Sequence, residues 1–245
     1  MNASQLIRDS VMRVTELRQI AADTPGLARA VSDIKQLQAR RFAGTYYDLL
    51  HSAQFKLAAL FFLDELYSEK DYSARDAQFA RIAGTLERVF PHQVVQTAVS
   101  LAQVHRLTEE LDLDMAQHWM THSEGGEAAR YCRAWRAVDR RADRNAQLNT
   151  VVEIGHELDR LTRTPGLRFM LKMMRGPANL AGMGSLQKFL EAGFDTFAAL
   201  GRQKQGVSAF LATVQAREAG LVALLFDADL VAGEAEITRT LAQAQ

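Results

Sequence analysis

Phe61-Phe62-Leu63-Asp64-Glu65-Leu66-Tyr67 closes an apolar segment that begins near Tyr46, and its reading decides the fold. From Leu57 to Leu63 every residue is apolar. A helix there has no polar face, so other helices are expected to cover it on most sides. The stretch therefore predicts the central post of a helical bundle. Asp64, Glu65 and Glu69 fall at the C-terminal end of that post. The helix dipole disfavours negative charge there, so a cation is expected beside them.

On the N-terminal side of the post, Asn2 to Ser4 suit the cap of a helix carrying Leu6, Ile7, Val11, Val14 and Leu17 at helical spacing. Thr24-Pro25-Gly26 ends it, and Leu27, Val31, Ile34 and Leu37 mark a second helix that reads on through Arg40-Arg41 toward the post. On the other side Ser68 to Tyr72 reads as a polar turn. Ser73 with Asp76 three residues later fits a capping box for the helix of Phe79, Ile82, Leu86 and Val89. Pro91 suits the first turn of a helix reaching about Met120, because its missing N–H would be unpaired there anyway.

Ser123-Glu124-Gly125-Gly126 is the clearest loop and the expected boundary between an N-terminal part, 1–122, and a C-terminal part, 127–245, packed as one globular unit or as two helical subdomains. Beyond it, Tyr131, Trp135, Val138 and Ala142 form one face of a helix, with Arg133, Arg136, Arg140 and Arg144 opposite. Further helices are read from Leu148 to Leu161, Leu167 to Met174, Phe189 to Leu200, Val207 to Ala219 and Leu221 to Ala242, with breaks at Thr164-Pro165-Gly166 and Arg175-Gly176-Pro177. No strand pattern or repeat interrupts them, so the fold class is all-α, a multi-helix bundle of roughly eight to ten helices.

Composition bounds the function. A chain of 245 residues that is 48% hydrophobic can bury a sizeable core. Twenty-nine basic residues balance 29 acidic ones, which argues against a protein that coats nucleic acid or an anionic membrane. The uninterrupted apolar runs, Leu57–Leu63 and Leu221–Phe226, fall far short of the roughly 20 residues that span a bilayer, so no transmembrane segment and a cytoplasmic location are expected. The single Cys132 excludes an intrachain disulfide and a multi-cysteine zinc site.

The FFLDELY stretch also resembles the signature of the FFLEELY-motif proteins, a bacterial group. Arg140-Arg141-Ala142-Asp143-Arg144 and the segment from Arg175-Gly176-Pro177 to Phe194 carry the likeness further, over about residues 40 to 220. Asp64 departs from the group's Glu, keeping the carboxylate one methylene shorter. The resemblance implies a cytoplasmic helical protein. It supplies no reaction and no catalytic residues.

Three constellations carry the functional expectations. Arg133, Arg136, Arg140 and Arg144 form a stripe that is a solvated face or a dock for phosphate, an acidic protein or the acidic end of the post. Arg168, Lys172 and Arg175 lie in a basic, Met-rich segment, and methionine adapts to irregular apolar partners such as acyl chains. Glu153-x-x-His156 has the spacing of a di-iron ligand pair, with Asp48-x-x-His51 and the pair His105 and Glu109 as further donors. The aromatics Tyr46, Tyr47, Phe55, Phe61, Phe62 and Tyr67 read as core. The expected function is non-catalytic binding of a protein partner or of a small apolar, acyl-like ligand with an anionic head. No cofactor is predicted, and a homodimer is compatible with this reading. The alternative is a helical-bundle enzyme using iron or manganese.

Overall fold

The computed structural model describes residues 2–67, 70–121 and 124–244. Ser68, Glu69 and Ser123, which figured in the predicted turn, acidic end and loop, lie outside them. The fold is all-α: α1 Ala3–Asp23, α2 Leu27–Thr45, α3 Tyr47–Leu50, α4 Lys56–Glu65, α5 Ser73–Val89, α6 His92–Thr121, α7 Glu127–Val138, α8 Arg141–Thr162, α9 Leu167–Met173, α10 Arg175–Leu180, α11 Gly184–Leu200, α12 Gly206–Asp227 and α13 Leu230–Gln243. No strand occurs among the described residues.

The local signals act as the sequence suggests at several ends. Asn2 accepts a hydrogen bond from the Gln5 N–H at 2.9 Å and caps α1. Gly26 and Gly166 take φ of 81° and 79° ahead of α2 and α9, backbone that a glycine adopts without strain. Elsewhere the signals yield. At α5 the N-cap position falls on Tyr72, Asp71 before it accepts from the Ser73 N–H at 2.8 Å, and Asp76 turns inward. Helix α12 runs straight through Gly220, and the break comes at Asp229, whose carboxylate accepts from the Ala232 N–H. By length and composition α12 is apolar enough to cross a membrane. In the bundle its Phe210, Leu211, Val214, Val222 and Leu225 are core.

The 30-residue α6 is the central element, packed against α1, α2, α5, α7 and α8. The predicted post is a helix of ten residues, α4, separated from α2 by the single turn α3 and the bend after it. Leu57 is 63% exposed, and only Ala58, Ala59 and Phe62 of α4 are buried. Its lack of a polar face has another cause: different neighbours approach from several sides. Phe61 stacks on Phe189 of α11, with Gly193 leaving room for the ring, and Phe62 meets Phe210 of α12 edge-on.

Both halves of the chain contribute to the two larger hydrophobic clusters. One joins Leu17, Ile34, Leu37, Met115, Trp119, Tyr131, Leu225 and Ile237. The other joins Phe42, Tyr46 and Phe62 to Val152, Phe197, Phe210 and Leu211. Smaller clusters form around Ile7 and Leu86 and around Leu161 and Phe194. The clusters do not merge, and the space between them is a cavity.

Candidate functional site

That cavity has a volume of about 350 Å³ and takes lining residues from all four clusters. It follows α6 from Val94 to Asp112, 18 residues that rise about 27 Å along the helix. The cavity is therefore elongated along α6, and is called the tunnel below. One end is apolar: Phe79, Ile82, Leu86 and Phe90 of α5 and its C-cap face Leu158 and Leu161 of α8, with Leu171, Met174 and Phe194 closing it. Lys35, Gln38, Arg41, Glu109, Asp112, Arg144 and Glu218 line the other.

The charges at the polar end are mostly paired. Arg41 Nη1 donates to Glu218 at 2.6 Å, and the Tyr46 hydroxyl donates to the same oxygen at 2.9 Å. Burial works against the Arg41 charge, but Glu218 together with Tyr67 and Tyr131 outweighs it and the net pKa is raised. Lys35 Nζ sits 2.6 Å from Glu109. Farther along α6, Asp76 accepts from Arg18 at 2.8 Å and lies 2.9 Å from His105. Burial alone would raise the Asp76 pKa, yet His105, Arg18 and Arg75 hold it below the usual range.

Asp112 and Arg144 are the exceptions. Asp112 is 2% exposed, accepts from Gln38 at 3.1 Å and lies 3.9 Å from Lys35. Burial lifts its pKa despite Lys35, and neighbouring Glu109 adds to the rise. Arg144, 7% exposed, lies over the Trp135 ring at 4.1 Å and donates only weakly, to Gln147 at 3.4 Å. Among the described residues no carboxylate approaches it within ion-pair distance, and burial draws its pKa down. Burial also pushes the Tyr131 hydroxyl up to about 12, so this neighbour stays neutral.

The raised Asp112 pKa has a signed consequence. The folded protein binds this proton more tightly than the unfolded chain, so the contribution of Asp112 to stability is greatest below the ordinary carboxylate range. It declines as pH rises through the window up to the raised value. Asp112→Asn is expected to flatten that decline in thermal unfolding followed from pH 4 to 8. An unchanged pH profile would show that Asp112 does not titrate in that range.

The predicted arginine stripe is divided. Helix α7 ends at Val138, and Asp139, with φ of 48°, takes the left-handed turn that short polar residues tolerate. Arg133 binds the carbonyl of Glu124, and Arg136 donates to the carbonyls of Leu225, at 2.8 Å, and Ala228, covering the C-terminus of α12. Arg140 bridges Asp114 and Asp143 at 2.7 and 2.6 Å. Only Arg144 enters the interior. Among the described residues none of the four meets the acidic end of α4, where Arg75 pairs with Glu65 at 3.1 Å and Lys70 lies 3.7 Å from Asp64. In the basic segment, Arg168 pairs with Asp195 and Arg175 with Glu191, while Lys172 is exposed.

The six proposed metal donors are dispersed. Asp48 makes a bidentate pair with Arg217, His51 contacts the Tyr47 carbonyl, and His105 and Glu109 are held by Asp76 and Lys35. Glu153 and His156 line a shallow cleft with His92 and Gln96 at the outside of α6 and α8. Among the described residues no three His, Cys, Asp or Glu side chains are grouped to hold a metal ion. Cys132 is buried with its pKa pushed up to about 11 by desolvation, which keeps it a thiol.

Arg41, Asp112 and Glu218 were not among the expected site residues, although Arg41 and Glu218 left a signal. Arg41 continues the apolar spacing of Leu27, Ala30, Ile34 and Leu37, and Glu218 sits between Val214 and Leu221 on the buried stripe of α12. A charge within an apolar stripe marks a buried polar site.

These features define an all-α bundle built around an elongated tunnel with a charged inner end. The chain belongs to the family described as "Domain of unknown function (DUF8198)", whose profile matches residues 17–231. No curated protein and no solved structure matches it.

Proposed function

We propose that this chain binds a small apolar ligand of the acyl type with an anionic head, held in the tunnel, and catalyses no reaction. The observation that carries this reading is the tunnel itself, mostly apolar in its lining, with charged side chains from Arg75, Asp76 and His105 on toward Asp112 and Arg144. Ligand sites of this size are mostly apolar with a few placed polar groups. The lining contains no serine or cysteine, so neither of the commonest nucleophiles faces it. From the Met-rich segment, Leu171 and Met174 wall the apolar end, the use expected of adaptable side chains beside an acyl chain.

Native mass spectrometry of gently purified protein, set beside the denatured mass, is expected to show an organic adduct released on unfolding. Ala102→Phe, placed near the middle of the α6 lining, is expected to abolish it. A bare mass in the wild type, together with no uptake of added hexadecanoate, would count against the reading.

A protein partner, or a second copy of the chain, is the second reading. It is favoured by the outer side of α9 and α10, where Phe169, Met173 and Leu180 are 70, 62 and 93% exposed. If that face self-associates, sedimentation of the pure protein should show a dimer that Phe169→Ser with Leu180→Ser dissociates; a monomer in both would exclude self-association.

A further inference from the structure

The buried side-chain atoms left without a hydrogen-bond partner are Arg41 Nε, Arg106 Nε, Trp135 Nε1 and Arg144 Nη2. All are donors, and three of the four belong to residues that line the tunnel. Buried donors normally find an acceptor, because leaving one unpaired forfeits its hydration. An excess of donors with no orphaned acceptor asks for a ligand that brings oxygen atoms and few hydrogens of its own. The three residues are neighbours: Arg144 lies over the Trp135 ring at 4.1 Å, and Arg41 is close enough for its charge to act on Arg144.

Charge narrows the choice. Arg41, Lys35 and Arg75 each have a carboxylate within 3.1 Å, whereas Arg144 has none. Asp112, the acidic group next in line, is already engaged by Gln38 at 3.1 Å and by Lys35 at 3.9 Å and makes no ion pair with Arg144. One uncompensated cation suits one negative charge; a dianion would leave an unpaired charge in a buried place. Extent favours a long ligand, since the lining follows α6 from Val94 to Asp112.

Resting on the binding reading above, we propose that Arg144, Arg41 Nε–H and Trp135 Nε1–H form a clamp for one carboxylate at the polar end of the tunnel. The ligand class is then the long-chain carboxylic acids. Guanidinium groups present planar donors that match a carboxylate, and Trp135 supplies a third donor without charge.

The experiment compares hexadecanoate, hexadecan-1-ol and hexadecyl phosphate at pH 8, binding to full-length delipidated protein by calorimetry. Wild type is expected to hold hexadecanoate at least about tenfold tighter than the alcohol, the equivalent of one charge-assisted hydrogen bond. Arg144→Met should lose that preference while leaving alcohol binding unchanged. Its Tm should not fall, since it removes a buried cation with no paired carboxylate. Trp135→Phe keeps the ring and should reduce the preference for the acid over the alcohol, giving a second route if Arg144→Met folds poorly. Equal affinity of the wild type for acid and alcohol would overturn the clamp, with water then serving the donors, and would leave the tunnel as a binding site. Hexadecyl phosphate binding as tightly as hexadecanoate would overturn the assignment to a monoanion. Failure of all three ligands to bind would overturn the tunnel reading itself, and the clamp with it.

Discussion

Arg41→Met is expected to destabilise the protein by about 3–5 kcal/mol, because it leaves Glu218 as a buried carboxylate without its cation. The pair is 2.6 Å apart, with side chains 5 and 12% exposed, so solvent offers Glu218 little compensation. Tyr46 would remain as a hydroxyl donor to the same oxygen, which moderates the loss without cancelling it. For a chain of this length the change corresponds to a Tm lower by about 10 °C. The double variant Arg41→Met with Glu218→Met should recover most of the stability, since removing both charges also removes their desolvation penalty. Thermal and urea unfolding of the single and double variants measure this. A single variant as stable as wild type would mean that Glu218 is solvated or protonated in the folded state.

Gly44→Ala is expected to be worse tolerated than its size suggests. A Cβ at Gly44 would stand 1.7 Å from the Thr240 carbonyl oxygen and 2.6 Å from the carbonyl carbon. Both obstructing atoms are backbone, so no rotamer change relieves the clash and α2 must separate from α13. The loss should exceed the roughly 1–3 kcal/mol usual for overpacking. Hydrogen exchange of the α13 amides should accelerate in the variant, and truncating Thr240 to Ala should not rescue it. Gly220→Ala is the control. That glycine lies within α12 with open space at its Cβ position, so alanine there should stabilise by about 0.5–1 kcal/mol. A neutral Gly44→Ala would show that α13 can shift away from α2 freely.

The positions of these two tests explain how far the sequence could be read. The fold class followed from the 3.6-residue spacing of apolar positions in segment after segment, and helix ends such as Asn2 and Gly26 followed from local capping and backbone rules. These depend on residues close in sequence. The central post was misassigned because uniform hydrophobicity fixes neither burial nor location: α4 meets α11 and α12 on different sides and leaves Leu57 exposed, while α6, with polar residues on its tunnel side, holds the centre. The arginine stripe failed as a unit at Asp139, where one left-handed residue redirects the chain and carries Arg144 inside.

What the sequence determined by itself was therefore an all-α bundle and its main breaks, while the charges at Arg41 and Glu218 stood unread on their apolar stripes. Only the tertiary structure decided that these charges meet across 177 residues, that Asp112 and Arg144 join them, and that four clusters leave a tunnel between them. Helical periodicity is a property of neighbours on one helix, whereas pairing of buried charges and the shape of unfilled space depend on which helices pack together.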